Sequence, residues 1–419
     1  VELNPEQRGL LEGSRGPELA QFMRWLVEWG EAMGARRLVS VQNVHLSGIS
    51  PPAVGREKPS AQAYEQALSE AELYCSSPVR CTATCANADV GLGIPADDRG
   101  PEAARLEETQ ARLLGLARKA GIALSWTCTP FLVGNLPLRG EVCAWTESSA
   151  IVFINSVLGA RTTRHGTESA VAAAATGYVP EFGALLAEGR RGELLVDVNA
   201  PLRTSADWGA LGYFTGEKAG LRNPVFRGPG RLGLSAAKQL SSAVATTGGV
   251  TMFHLVGVTP EAQTLRQALG GQDPARLERH TFGKEELRET YARLRELDGG
   301  PIDYVVLGCP HLSLQEVIQV ARLLAGRKVA PRVRFELWVP HALRAEAQRL
   351  GFLEDLESSG ALLLADSCPA VCAPVMNGVR VLTDSFKQAH YLRAAIGARV
   401  AVDATEACVE AAVSGSWQP

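Results

Sequence analysis

The chain has 419 residues, 46% of them hydrophobic, enough for two or three domains with cores of their own and no need of disulfide staples. Its 42 basic and 45 acidic residues leave a formal charge of −3, which offers no electrostatic footprint for nucleic acid or an anionic membrane, so a small-molecule or protein partner is expected. No basic n-region followed by an apolar h-region opens the sequence, and no run reaches about 18 uninterrupted apolar residues, so a cytoplasmic protein is expected.

In chain order, "NPEQRGLLEGSRGPELAQFMRWLVEWGEAMGA" predicts a helix capped by Asn4 with Pro5 at its first position, then an amphipathic helix from Pro17 to Met33. "RLVSVQNVHLSG" alternates as a strand that stops at Gly48. The run from Gly100 to Ala120 is again helical, and "GIALSW" is expected to run as a strand into "TCTP", placing Cys128 at a strand end. Residues 199 to 230 are rich in Gly and Pro and are expected to form a functional loop or a domain crossing. "GLSAAKQLSSAVATTGGVTMFHLVGVTPEAQTL" then alternates a small-residue helix, an apolar strand and a turn. "PIDYVVLG" and "GALLLAD" are buried strands that deliver Cys309 and Cys368 at their ends. The expected fold is α/β, in three regions: 1–198 with Cys128, 199–300 with the long loop, and 301–419 with Cys309 and Cys368.

Nine cysteines, Cys75, Cys81, Cys85, Cys128, Cys143, Cys309, Cys368, Cys372 and Cys408, would sit in a reducing compartment, where thiols are core filler, nucleophiles or metal ligands. For Cys75, Cys143 and Cys408 the core reading is expected, since free Cys behaves as a small hydrophobe. The three strand-end thiols differ, because each is followed by a turn: Cys128-Thr129-Pro130, Cys309-Pro310 and Cys368-Pro369. Proline holds the preceding residue extended and removes a backbone donor, so these turns can aim sulfur at a common point, as an iron–sulfur site with three thiolates requires. Zinc is the competing reading, since Cys81-x3-Cys85 and Cys368-x3-Cys372 approach structural zinc spacings, but each is only a half-site. His311, two residues after Cys309, is expected as a turn residue or a donor behind the ligands rather than as the base of a nucleophilic cysteine.

Residues 127 to 166, "TCTPFLVGNLPLRGEVCAWTESSAIVFINSVLGARTTRHG", resemble the signature block of the aconitase X family. "DWGALGYFTGEKAG", "GGVTMFHLVGVTPEAQTL", "LGCPHLSLQEV", "DSCPAVCAPV" and "VLTDSFKQAHY" are similar to later blocks of that family, in the same order. The resemblance implies a multi-domain aconitase-like α/β fold and a hydro-lyase large subunit that dehydrates a small β-hydroxy carboxylic acid. It implies iron held by Cys128, Cys309 and Cys368, as a 4Fe-4S or 2Fe-2S cluster or as mononuclear iron. Three thiolates rather than four leave a cluster iron with an open position, which makes it a Lewis acid.

The resemblance implies further that Gly48, Ile49 and Ser50 form a substrate-contacting turn, that Asn87 contacts substrate, and that Lys387 pairs with an anionic group. Ser148, Ser149, Asn155, Ser156 and Arg161 have the chemistry to hold a carboxylate, or else serve as caps. The sequence departs from the family at Ala88, at Thr163-Arg164-His165 and at Asp384; an acid at Asp384 would disfavour a phosphate nearby. Two substrates are implied, cis-3-hydroxy-L-proline and 5-phosphomevalonate, and the first is the expected one. A metal-stabilised binding protein that kept the fold without catalysis is the reading from another class. No stretch resembles the family's small swivelling domain, so the base is expected on a separate small subunit.

Overall fold

The computed structural model describes residues 1–50, 60–85, 103–372 and 378–419. Within them, short parallel strands form three sheets, and the strands of the five-stranded one are mostly buried and apolar. In the first, Asn43–Leu46 lies between Thr82–Cys85 and Cys143–Trp145. In the second, Leu194–Val198 lies between Glu278–Phe282 and Pro224–Arg227, with His254–Leu255 at the edge.

The third sheet has five parallel strands in the spatial order Leu362–Leu364, Arg334–Trp338, Tyr304–Leu307, Arg380–Thr383, Arg399–Val402. The chain winds outward on one side of Tyr304–Leu307 and then returns to build the other side. A crevice therefore opens at the carboxyl ends of Tyr304–Leu307 and Arg380–Thr383, where open α/β sheets bind ligands. Helix Leu314–Leu324 covers this sheet; a capping box between Ser313 and Glu316 starts it, and Val317, Val320, Ala321 and Leu324 fall on its buried face at helical spacing.

Several expected elements hold: the Asn4 cap forms with a full capping box, Pro17–Ala32 is helical, and Ala103–Ala120 is helical. Others differ. "RLVSVQNVHLSG" splits into Leu38–Ser40, antiparallel to Tyr178–Pro180, and Asn43–Leu46 in the first sheet, because the amides of Val41 and Gln42 turn to the carbonyls of Gly177 and Val142. "GIALSW" forms no strand; a single bridge joins Ala123 to Thr84, and Trp126 with φ 40 ends any extended run.

The supposed loop 199–230 contains helix Ser205–Ala219, begun by a Thr204–Asp207 capping box, and strand Pro224–Arg227. Its glycines are packing residues. A Cβ on Gly212 would lie 2.7 Å from the Leu240 carbonyl of helix Leu234–Thr247, and one on Gly216 would lie 2.7 Å from the Val244 carbonyl, so the two helices touch backbone to backbone. Strand Leu194–Val198, assigned on sequence to the first region, pairs instead within the second sheet.

Candidate active site

All three candidate cysteines follow a residue in left-handed conformation: Trp126 (φ 40) before Thr127-Cys128, Gly308 (φ 109) before Cys309, and Asp366 (φ 70) before Ser367-Cys368. Among the described residues, Trp126 and Asp366 are the only non-glycine residues with positive φ. Such conformations cost of order 1–3 kcal/mol each and persist where surrounding structure fixes them, commonly at functional sites. At Gly308 the requirement is also steric, since a Cβ would meet the Trp338 carbonyl at 2.4 Å.

One imidazole joins these three turns. His311 is fully buried; its Nε2 lies 2.7 Å from the Ser367 carbonyl and its Nδ1 lies 2.9 Å from Thr127 Oγ1. Its backbone N–H donates to Cys128 Sγ at 3.4 Å. A carbonyl can only accept, so Nε2 carries the hydrogen. Burial lowers the His311 pKa to about 4, so the ring is neutral and Nδ1 accepts from the Thr127 hydroxyl. That hydroxyl in turn accepts from the Thr129 amide at 3.0 Å, and the Ser385 hydroxyl donates to the Cys309 carbonyl.

Burial pushes the Cys128 thiol up to about 11, helped by Glu147 and opposed by the His311 amide, Lys387 and Lys238. Cys309 is raised further by burial; Lys387 opposes this, while Cys128 and Cys368 add to it. The contacts of His311 to Thr127, Ser367 and Cys128 bring the three cysteine-bearing turns together, and Cys309 is coupled electrostatically to both other thiols. Burial disfavours the Lys387 ammonium, yet Glu147 first, then Cys309 and Cys128, hold its pKa above the ordinary value. Lys387 is half-buried, with its ammonium 5.9 Å from the centre of the Tyr391 ring.

Three thiols are the soft donor set that an iron–sulfur cluster would take; among the described residues no three or more His, Cys, Asp or Glu side chains are grouped closely enough to hold a metal ion. Buried thiols of raised pKa give up their protons to a soft cation rather than to water. The zinc half-sites gain no support: Cys81 and Cys85 are separately raised to about 11 by burial, and the side chain of Cys372 lies outside the described residues.

The other candidates separate into two groups. Asn155 binds Thr162 through its carbonyl and amide groups and the Thr251 carbonyl, Ser156 accepts from the Phe253 amide, and Arg161 donates to the Leu185 carbonyl at 2.7 Å, so all three hold backbone. Asn155 and Ser156 sit on the π-helical turn Ile154–Leu158. Ser148 and Ser149 open helix Ser148–Phe153; neither caps it, and Ser149 Oγ is buried with no hydrogen-bond partner. Gly48, with φ 93 and backed by Thr167, Ile49, buried, and Ser50, half-buried, follow the first-sheet strand Asn43–Leu46. Asn87 lies outside the described residues.

Asp384 is buried and accepts from the Thr405 hydroxyl at 2.7 Å, which makes it an interior carboxyl rather than a wall facing a phosphate. Of the altered triplet, Thr163 is buried, His165 is buried edge-on to Trp29, and half-buried Arg164 donates to the Ala245 carbonyl at 3.3 Å. Sequence reasoning missed Glu147 and Lys238. Lys238 is fully buried and paired with Glu316; its signal was a lone charge in the small-residue helix "LSAAKQLSSAVATT".

Three cysteine-bearing turns joined at one buried imidazole, in a fold of parallel sheets and helices, are the frame of an α/β enzyme. Family models described as aconitase X first, second and third domain match residues 1–188, 192–292 and 302–414, and the chain belongs to the aconitase X family. It is similar to the phosphomevalonate dehydratase large subunit of Methanothermobacter thermautotrophicus, 35% identical over 94% of each chain. It is also similar to the cis-3-hydroxy-L-proline dehydratase of Pseudomonas aeruginosa, 33% identical over 99% of this chain and 70% of that protein. The crystal structure of Thermococcus kodakaraensis aconitase X in its holo form superposes with a TM-score of 0.83 at 31% identity, covering 98% of this chain and all of that one.

Proposed function

We propose that this chain is the large subunit of an iron–sulfur-dependent dehydratase that eliminates water from a small β-hydroxy carboxylic acid, with cis-3-hydroxy-L-proline as the substrate. The observation that carries it is the convergence of the turns bearing Cys128, Cys309 and Cys368 on the buried His311 ring, with Lys387 coupled electrostatically to Glu147, Cys309 and Cys128. A cluster held by those cysteines supplies, when bound, an iron with an open position for the substrate hydroxyl. Lys387, kept charged by Glu147, pairs with the substrate carboxylate and orients the carbon whose proton is lost. Ser149 Oγ, buried and unpartnered, offers a hydroxyl to the same substrate end.

Removal of the alpha proton needs a base within hydrogen-bond reach, which we assign to a small partner subunit that also excludes water from the cleft. A reducing cytoplasm suits such thiols. The charge balance favours an amino acid: Glu147 takes the ring ammonium of hydroxyproline while Lys387 takes its carboxylate. Phosphomevalonate is the second reading, favoured by the near-complete coverage, in both directions, of the phosphomevalonate dehydratase large subunits.

The test is an anaerobic assay of both acids, with the chain alone and with its co-expressed small subunit. Turnover of cis-3-hydroxy-L-proline only with the subunit present is expected. Turnover of phosphomevalonate alone moves the substrate to the second reading, and full turnover by the isolated chain places the base within this sequence.

A further inference from the structure

We infer that His311 is the positioning residue that sets the three cysteine turns relative to one another before any metal arrives; this rests on the reading of Cys128, Cys309 and Cys368 as the cluster ligands. Those cysteines come from turns far apart in sequence. Just before each sulfur lie the one or two residues whose conformation decides where the thiol points.

His311 contacts each turn at that place. It is bonded covalently to the Cys309 turn, its Nδ1 receives the Thr127 hydroxyl at 2.9 Å, its Nε2–H reaches the Ser367 carbonyl at 2.7 Å, and its amide meets Cys128 Sγ at 3.4 Å. Thr127 is the residue before Cys128 and Ser367 is the residue before Cys368, and both are fully buried. The ring is rigid, with a donor and an acceptor on opposite edges, so it fixes the separation of the two turns as well as joining them. Neither Asn, which is shorter, nor Lys, which only donates, can reproduce that span. Cys309 itself is held from the other side by the Ser385 hydroxyl on its carbonyl.

The left-handed residues Trp126 and Asp366 stand immediately outside the two remote contacts. Conformations of that kind relax unless something downstream holds them, and the imidazole is the group on hand at both turns. The arrangement spares the unloaded chain the entropy of ordering three turns at the moment of cluster insertion.

The experiment is timed alkylation of the metal-free chain with iodoacetamide, read cysteine by cysteine by peptide mass spectrometry. In His311→Ala, labelling of Cys128 and Cys368 should accelerate about tenfold, while Cys143 and Cys408, buried elsewhere, keep the wild-type rate. His311→Gln, which retains one donor and one acceptor, should recover part of the protection. Thr127→Val removes the Nδ1 partner together with the hydroxyl's contacts to Thr129 while leaving the Ser367 contact, and should expose Cys128 alone; if the alanine variant does not fold, this variant and the glutamine variant carry the test.

After anaerobic reconstitution, the alanine variant should also lose iron to a chelator about tenfold faster than wild type. Unchanged labelling at Cys128 and Cys368 overturns the inference, and so does a parallel rise at Cys143 and Cys408, which means general loosening. A wild-type chain that takes up no iron or sulfide, while the variants still expose Cys128 and Cys368, removes the cluster reading and leaves the strut in place.

Discussion

Asp384 shows how a single buried carboxyl couples this fold to pH. Burial raises its pKa from 3.8 to about 6, with Glu316 adding to the shift and the Thr405 hydroxyl and Lys238 opposing it, and its Oδ1 has no hydrogen-bond partner. The folded chain therefore binds this proton more tightly than the unfolded chain. The associated stability is fully present below pH 3.8, falls as pH rises, and is lost above about pH 6. Asp384→Asn removes the titration and leaves the Thr405 contact. Thermal melts should show the variant more stable than wild type by roughly 1–3 kcal/mol at neutral pH, with the difference shrinking toward acid; equal stability at every pH would contradict this.

Lys387 belongs to the same scale. Lys387→Met should lower kcat/KM by about 10- to 100-fold while iron content is retained, because the role proposed for its ammonium is to pair with the substrate rather than to hold the thiols. A variant that loses iron in proportion to activity would assign the lysine to the cluster instead.

Among the elements, the capping boxes were legible because the signal is local: Asn4 with Gln7 and Ser313 with Glu316 announce helices that are present. Helix Ser205–Ala219 was not, because Gly209, Gly212 and Gly216 read as coil until the partner helix is known. The strand ends of Cys309 and Cys368 were also legible, whereas the turn at Cys128 follows only an isolated bridge. Glu147 was invisible and Lys238 showed only as a lone charge in a small-residue helix, for a related reason: what matters about them is which distant groups lie near them, and no local pattern encodes that.

The glycine contacts make an element-level prediction. Gly212→Val should destabilise the chain by roughly 2–4 kcal/mol in denaturant melts, since its side chain meets the Leu240 backbone, which cannot yield. Gly209→Ala, whose Cβ meets the edge of the Phe386 ring at 3.2 Å and otherwise the Gln239 side chain at 3.8 Å, should cost far less. Equal costs would mean that the helix pair is not in backbone contact.

At the scale of the molecule, the site is assembled across the chain. Cys128 and Glu147 come from the region of the first sheet, Lys238 from a helix beside the second, and Cys309, His311, Cys368 and Lys387 from the third. The proposed division of labour matches this: the first and third regions would hold the thiols and the anion-pairing lysine, the second adds buried Lys238 paired with Glu316, and the proton transfer is proposed to fall to a partner.

The most direct test of the whole account is the iron and acid-labile sulfide content of the anaerobically purified chain, compared with Cys128→Ser, Cys309→Ser and Cys368→Ser. The account predicts a brown protein with both iron and sulfide, and bleaching in each of the three variants, because a hydroxyl is a poor substitute for thiolate. Stoichiometric zinc without sulfide, or a cluster that survives all three substitutions, would contradict it.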